Sequence, residues 1–132
     1  MAVEQINPPE LATPESYTHV VVASGSKLVF VSGQVSEDGR GNPVARDNFA
    51  AQAHRAFANV GIALGAAGAE PREVTKLTIF VVGFHAGLLP AIEAARVALF
   101  GAHRPADTLV GVETLAHPGC LIEVEAIAVT DG

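Results

Sequence analysis

LIEVEAIAV, residues 121–129, is the stretch on which the fold turns. Side chains along a strand alternate between its two faces. Ile122, Val124, Ala126 and Ala128 therefore make one wholly apolar face, suited to lie beneath helices, while Leu121, Glu123, Glu125, Ile127 and Val129 make the other. Two more segments repeat the pattern. Leu28 and Phe30 alternate with Val29 and Val31, and Leu77, Ile79 and Val81 alternate with Phe80 and Val82. A sheet of such strands is apolar on both sides. The chain carries two helical patterns, enough to cover one side. An apolar face left open on that scale marks a partner surface, and self-association with closed symmetry is the simplest cover. Glu123 and Glu125 would then lie on or beside a subunit contact.

Working outward, His117-Pro118-Gly119-Cys120 places Pro and Gly at the centre of a turn, as type II prefers. It joins the last strand to one predicted over 108–115, antiparallel to it. A helix is predicted from about Ala86 to Phe100, with Leu88, Ile92, Ala95 and Leu99 on one face. TKLTIFVV, residues 75–82, reads as the strand before it. The longest helix starts near Asp47 or Asn48, either of which can cap it. Its stripe is Phe49, Phe57, Val60 and Leu64, and Gly68 is its stop. Gly61 and Gly65 cost that helix about 1 kcal/mol each and are read as close packing of helix on sheet. A charged, glycine-rich loop containing SEDGRGNPVAR is read from Gln34 to about Arg46. Ser24-Gly25-Ser26 is read as the turn of a hairpin between strands at His19–Ala23 and Lys27–Ser32. Residues 1–16, with three prolines, read as an extended lead-in. The order is β-β-α-β-α-β-β in one α+β domain spanning residues 1–132. Helical crossovers favour parallel neighbours and short connections antiparallel ones, so the sheet is mixed, with two helices on one face.

Composition narrows the function classes. Apolar residues make up 49% and charged residues 17% of the 132, a balance that folds rather than stays disordered. The net charge is −6, and the eight basic residues form no run. Phosphate neutralisation needs a basic patch, so nucleic acid is not an expected partner. Cys120 is the only cysteine, which rules out an internal disulfide and suits a reducing compartment. No stretch approaches the roughly 18 apolar residues of a membrane span. The start, MAVEQINPPELATPES, lacks the basic and apolar regions of a signal peptide. A cytoplasmic protein without a membrane partner is expected.

Standard chemical motifs are missing. His19, His54, His85, His103 and His117 are scattered without ligand spacing, so no metal site is expected. Neither a dinucleotide fingerprint, a P-loop nor a nucleophile elbow occurs. Cys120 reads as an inert, buried thiol. Glu123 and Glu125 admit two readings. Charged strand residues usually form a solvated face, yet these share theirs with Leu121 and Ile127. A carboxylate in a partly dry cleft can activate water. Spacing alone does not choose between the two.

LVFVSGQVSEDG, VTKLTIFVV and LIEVEAIAV, in this order and spacing, resemble the Rid (YjgF) family of reactive-intermediate deaminases, also labelled endoribonuclease L-PSP or translation inhibitor. The resemblance runs from about Tyr17 to Val129. It implies a chorismate-mutase-like fold in a homotrimer, helices outside and sheets inward, in agreement with the open face inferred above. It further implies clefts between subunits where 2-imino acids and their enamine tautomers are hydrolysed to 2-keto acids and ammonia without a cofactor. By the same resemblance Tyr17 matches a pocket tyrosine, Ser32 and Gly33 the pocket-lining Ser-Gly, and Glu123 the glutamate that activates the attacking water.

One departure shapes the functional expectation. Where active members read Pro-Ala-Arg and use that arginine to grip the substrate carboxylate, this chain reads Pro105-Ala106-Asp107. A fork suited to bidentate binding is thus replaced by an acid. At about 4 Å and an effective dielectric of roughly 20, the like-charge cost is several kcal/mol. Arg104 is three residues away, and in an extended chain it would point to the opposite side. The family's helix asparagine is also missing from Leu89-Pro90-Ala91-Ile92-Glu93. The chain thus resembles a Rid subgroup lacking the arginine. Three functions follow as expectations. The first is hydrolysis of a small imine, enamine or amide-like metabolite, with Glu123 as base and Tyr17, Ser32, Gly33 and Asp107 binding a neutral or cationic substrate. The second is a non-catalytic, metabolite-binding or regulatory trimer. The third is a ribonuclease or translation inhibitor, ranked last because the chain is acidic.

Overall fold

The structure, a computed structural model, describes residues 2–132. Strand β1 spans Ala2–Ile6, β2 Val20–Ser24 and β3 Lys27–Val35. Helix α1 covers Phe49–Ala66, β4 Val74–Val82, α2 Leu89–Phe100, β5 Ala106–Val112 and β6 Ile122–Thr130. The main sheet has the order β3-β6-β4-β5, with β4 and β5 parallel and the other pairs antiparallel. Both helices pack on one side of it. Phe57, Val60, Leu64, Ile92 and Ala95 meet Leu77, Ile79, Val81, Ile122, Val124 and Ala126, all buried in one core. The mixed α+β expectation therefore holds.

Caps and turns follow the local sequence. Asn48 Oδ1 accepts the Ala51 N–H at 3.0 Å and starts α1. Cys120 N–H donates to the His117 carbonyl at 3.2 Å with Gly119 at φ +82°, the geometry of a type II turn. Gln52, buried on α1, ties this turn down. Its amide nitrogen donates to the Gly119 carbonyl at 3.0 Å, and its oxygen accepts from Leu121 N at 2.8 Å. The entry to β6 is thereby fixed against the helix.

Pairing departs from the local reading in several places. Residues 2–6 form a strand, not an extended lead-in, and pair with β2 in a separate two-stranded sheet. The predicted β2–β3 hairpin is therefore absent: β2 has β1 as its partner and β3 has β6. Nor does β5 pair with β6, although a short connection joins them, because β6 enters between β3 and β4. Strands β3 and β4, joined through α1, run parallel but are not neighbours. In the central slot β6 hydrogen-bonds on both edges and buries its all-apolar face, which a place beside β5 at the edge would not achieve. Gly61 serves helix-on-helix packing instead of helix on sheet. A Cβ there would lie 2.9 Å from Leu99 Cδ1. Gly65 meets nothing within 4 Å, and nothing in the structure explains it.

The other side of the main sheet has the open apolar character read from the alternation. Phe30 is 70% and Leu28 65% exposed, Val110 is exposed, and Phe80 and Ile127 are half-buried. Among the described residues, no helix is long and apolar enough to cross a membrane.

Candidate functional site

Register places the two key carboxylates on opposite faces. Asp107 is the cross-strand partner of Leu77, and Glu123 that of Phe80. Leu77 and Phe80 are an odd number of residues apart on β4, so they face opposite ways. Leu77 is fully buried under the helices. Asp107 is thus on the helix side and Glu123 on the open side. The sequence brought both into one cleft, but a single chain does not.

On the open side Glu123 is half-buried beside a bulge in β3. Val31 pairs with Ala126 and Gln34 with Val124, so Ser32 and Gly33 together oppose one residue of β6. Bulges of this kind re-aim side chains next to functional sites. Gly33 is required by Glu123: a Cβ on Gly33 would fall 1.8 Å from Glu123 Oε2 and 2.6 Å from Cδ. The carboxylate lies directly over the glycine. Ser32 is exposed nearby, and its carbonyl accepts from Gln34 Nε2 at 3.1 Å. Glu125, paired with Thr78, shares this face and is exposed. Cys120 is buried, and its thiol donates toward the Ser36 carbonyl at 3.8 Å. Burial pushes the thiol pKa up and Glu37 adds to the effect, which favours the protonated thiol.

On the helix side a cavity of about 540 Å³ opens between β5, α2 and the segment before β2. Tyr17 and Asp107 line it, as do Glu93 and Arg96 of α2. Tyr17 is brought there by Thr18, whose N–H donates to the Pro105 carbonyl at 3.3 Å and whose hydroxyl donates to the Arg104 carbonyl. The Tyr17 ring meets His19 edge-on, centroids 5.3 Å apart. Ile79, Ile92 and Leu109 supply apolar wall.

Asp107 is not a free acid in this cavity. Arg96 Nη1 stands 3.0 Å from Asp107 Oδ2, and Arg96 Nε donates to Glu93 Oε2 at 3.1 Å. Arg104 Nη2 approaches Glu93 Oε1 at 3.8 Å, so it joins the same cluster; it precedes β5, and strand alternation does not govern its direction. The Asp107 pKa is raised: burial is the larger influence, Arg96 and Lys76 pull it down, and Glu93 pushes it up. Burial outweighs the pull of Arg96, whose Nη1 and Nη2 have no hydrogen-bond partner. The repulsion expected from an isolated Asp107 is accordingly weakened by a buried guanidinium at contact distance.

Arg96 is the residue the sequence reading missed. Ile92, Arg96 and Phe100 are all buried and four residues apart, so Arg96 sits inside the buried stripe of α2. A charge in such a stripe needs a partner. That spacing was the available signal, obscured by the choice of Ala95 and Leu99 as the stripe. Among the described residues, no three His, Cys, Asp or Glu side chains gather in a group that could hold a metal ion.

Comparison with known proteins agrees with this architecture. The family model described as Endoribonuclease L-PSP matches residues 8–130. The chain is 31% identical over 103 residues to the 2-iminobutanoate/2-iminopropanoate deaminase of Dermatophagoides farinae, covering 78% of each. A Rid-family protein of unknown function from Yersinia pestis, YyfB, superposes with a TM-score of 0.90 at 32% identity, over 98% of this chain and 99% of that one. A member of the YjgF/YER057c/UK114 family from Mycobacterium tuberculosis gives 0.64 at 31% identity over 86% of each chain.

Proposed function

Because this chain belongs to the endoribonuclease L-PSP family, the Rid/YjgF proteins, we propose that it is a homotrimer that hydrolyses the C=N bond of a small imine, or of the imine tautomer of an enamine, in clefts between its subunits. In this reading the open faces close on one another, burying Phe30 and Leu28. One copy supplies Glu123, Gly33 and Ser32, and its neighbour supplies the edge strand β5, beside which the cavity of Tyr17 and Asp107 opens. The observation that carries the reading is the split of the chemical groups: the best-placed base, seated over Gly33 at an open apolar face, and the best ligand cavity on the opposite side of the sheet. Each half lacks what the other has.

The chemistry balances with water alone. Glu123 takes a proton from water as its oxygen bonds to the imine carbon. The C=N π electrons pass to nitrogen, which takes the proton held by Glu123. The carbinolamine hydroxyl then gives its proton, through Glu123, to nitrogen as the C–N bond breaks, so ammonia leaves and a carbonyl forms. A positioned general base contributes about 10²–10⁴-fold to such a step. Resemblance to a named 2-iminobutanoate deaminase supports this reaction class, while Asp107 in the cavity wall argues for an uncharged or cationic substrate in place of a 2-imino carboxylate.

Ammonia release from freshly generated 2-iminobutanoate, 2-aminoacrylate and their amide counterparts, measured for wild type and Glu123→Gln, tests the proposal. Turnover of the uncharged imines that collapses in the variant is expected. Ligand binding without ammonia from any imine would instead identify a binding trimer. Rapid turnover of the acids, lost in Glu123→Gln, would show the substrate assignment to be wrong.

A further inference from the structure

The open face of the main sheet carries two charges that neither the fold nor the hydrolysis uses. Register puts Lys76 of β4 and Glu125 of β6 on this side, with Phe30, Phe80 and Val110 around them. Glu123, already assigned to the reaction, is the one other charged residue that strands β3 to β6 place there. Lys76 and Glu125 are diagonal neighbours, since Lys76 stands opposite Ile127 and Thr78 opposite Glu125. Side chains so placed are within reach of each other. Among the described residues they nevertheless make no ion pair.

Lys76 turns the other way. Its Nζ donates to Thr108 Oγ1 at 2.7 Å, so the ammonium leans toward the edge strand β5 and away from β6. Asp107 also feels this charge, but it faces the helix side and is in contact with Arg96. Glu125 is exposed on its strand. A base at one half of an apolar face and an acid at the other give that face a direction. Closure into a ring brings unlike halves of one surface together. The β5 half of one copy, toward which Lys76 leans, then meets the half of the next copy that carries β6 and Glu125. A lone charge taken into a dry contact opposes association, whereas a matched pair specifies register.

We propose that the occupant of the open face is a second copy of this chain, held by an ion pair between Lys76 of one copy and Glu125 of the next, and that this pair sets the register in which the faces close. Phe30 and Leu28, 70% and 65% exposed in the single chain, supply the apolar contact around it. The inference deepens the trimer reading and rests on it for the ring. Because the register decides where β5 of one copy stands against Glu123 of its neighbour, the pair also aligns the proposed clefts.

Light scattering and native mass spectrometry test it, with circular dichroism reporting the fold. Lys76→Glu and Glu125→Lys, each alone, should weaken association by at least about thirtyfold. Mixed in equal amounts, one of them isotope-labelled, the two variants should recover assemblies that contain both, because unlike copies meet through attractive pairs. The Lys76→Glu/Glu125→Lys double variant should recover the wild-type assembly. Should a charge reversal fail to fold, Lys76→Met and Glu125→Gln, which only remove a charge, should show the same loss. Single variants that assemble like wild type overturn the proposal. So does a double variant that assembles while the mixture stays apart, which would put the pair inside one chain. A monomeric wild type sinks the trimer reading together with this one, whereas a wild-type trimer indifferent to both charges sinks this one alone.

Discussion

Replacing Gly33 with alanine separates the position of Glu123 from the stability of the fold. The new Cβ would start 1.8 Å from Glu123 Oε2, 2.6 Å from Cδ and 2.8 Å from Cγ. Non-bonded heavy atoms settle at about 3.5 Å, so the carboxylate must retreat by roughly 1.5 Å. A misplacement of about 1 Å can cost a reaction around 100-fold, and kcat/KM for ammonia release should fall by at least that, about 2.7 kcal/mol. Stability should hardly change. Gly33 is not among the glycines with positive φ, so alanine takes its backbone without strain and restricts the unfolded chain, a gain of about 0.4–1 kcal/mol. Against this stands one displaced glutamate rotamer, about 0.5–1.5 kcal/mol. The urea midpoint should therefore stay within about 1 kcal/mol of wild type. In a Glu123→Gln background the alanine should cost no further activity, because both changes disable one group. A folded Gly33→Ala protein keeping kcat/KM within about threefold would refute the role given to Glu123. A stability loss above about 3 kcal/mol would show that the backbone, and not the carboxylate, yields.

Other consequences are simpler to check. Arg96→Met strands Asp107 and Glu93 and should cost about 3 kcal/mol in urea denaturation, most of it recovered in Arg96→Met/Asp107→Leu, because an unpaired buried charge costs more than an apolar pair; a double variant no better than the single contradicts the pairing. With its pKa held above the ordinary 3.8, Asp107 binds its proton more tightly in the folded chain than in the unfolded one. Its contribution to stability is greatest with the proton on, and is lost as pH rises from the ordinary value through the raised one. Wild type should thus gain on Asp107→Asn as pH falls from neutral toward about 4; a flat or opposite trend in the paired denaturation midpoints counts against the burial argument. Phe30→Asp should turn an assembly of three times the 13.6 kDa chain mass into monomers in light scattering, and a monomeric wild type would remove the basis for shared clefts. Asn48→Ala should lower stability by about 1 kcal/mol through the lost helix cap, read from the same midpoints.

Much of the fold was legible because its signals are local. Alternation in residues 121–129 told which side chains of β6 lie under the helices, and Asn48, Gly68 and the Pro118-Gly119 turn marked element ends by backbone chemistry that acts within a few residues. The same alternation announced a second apolar face, visible in the exposure of Phe30 and Leu28. Of the candidate site, Gly33 and Glu123 were named separately and only through the family resemblance; that one carboxylate lies over one α-carbon was not legible in the sequence.

Tertiary structure decided the rest. Strands β3, β4 and β6 carry similar alternating patterns, so the pattern could not say which strands pair. Docking β6 in the central slot was chosen over the hairpin and the β5–β6 pair because only there do both of its edges and its apolar face find partners. The meaning of Asp107 was decided in the same way. Along the chain it is an acid where a cation was expected, and eleven residues separate it from Arg96; only the crossover through α2 sets them 3.0 Å apart. Side-chain direction is a property of the local backbone and can be read from sequence, whereas the charge a side chain meets depends on how elements distant in the chain are brought together.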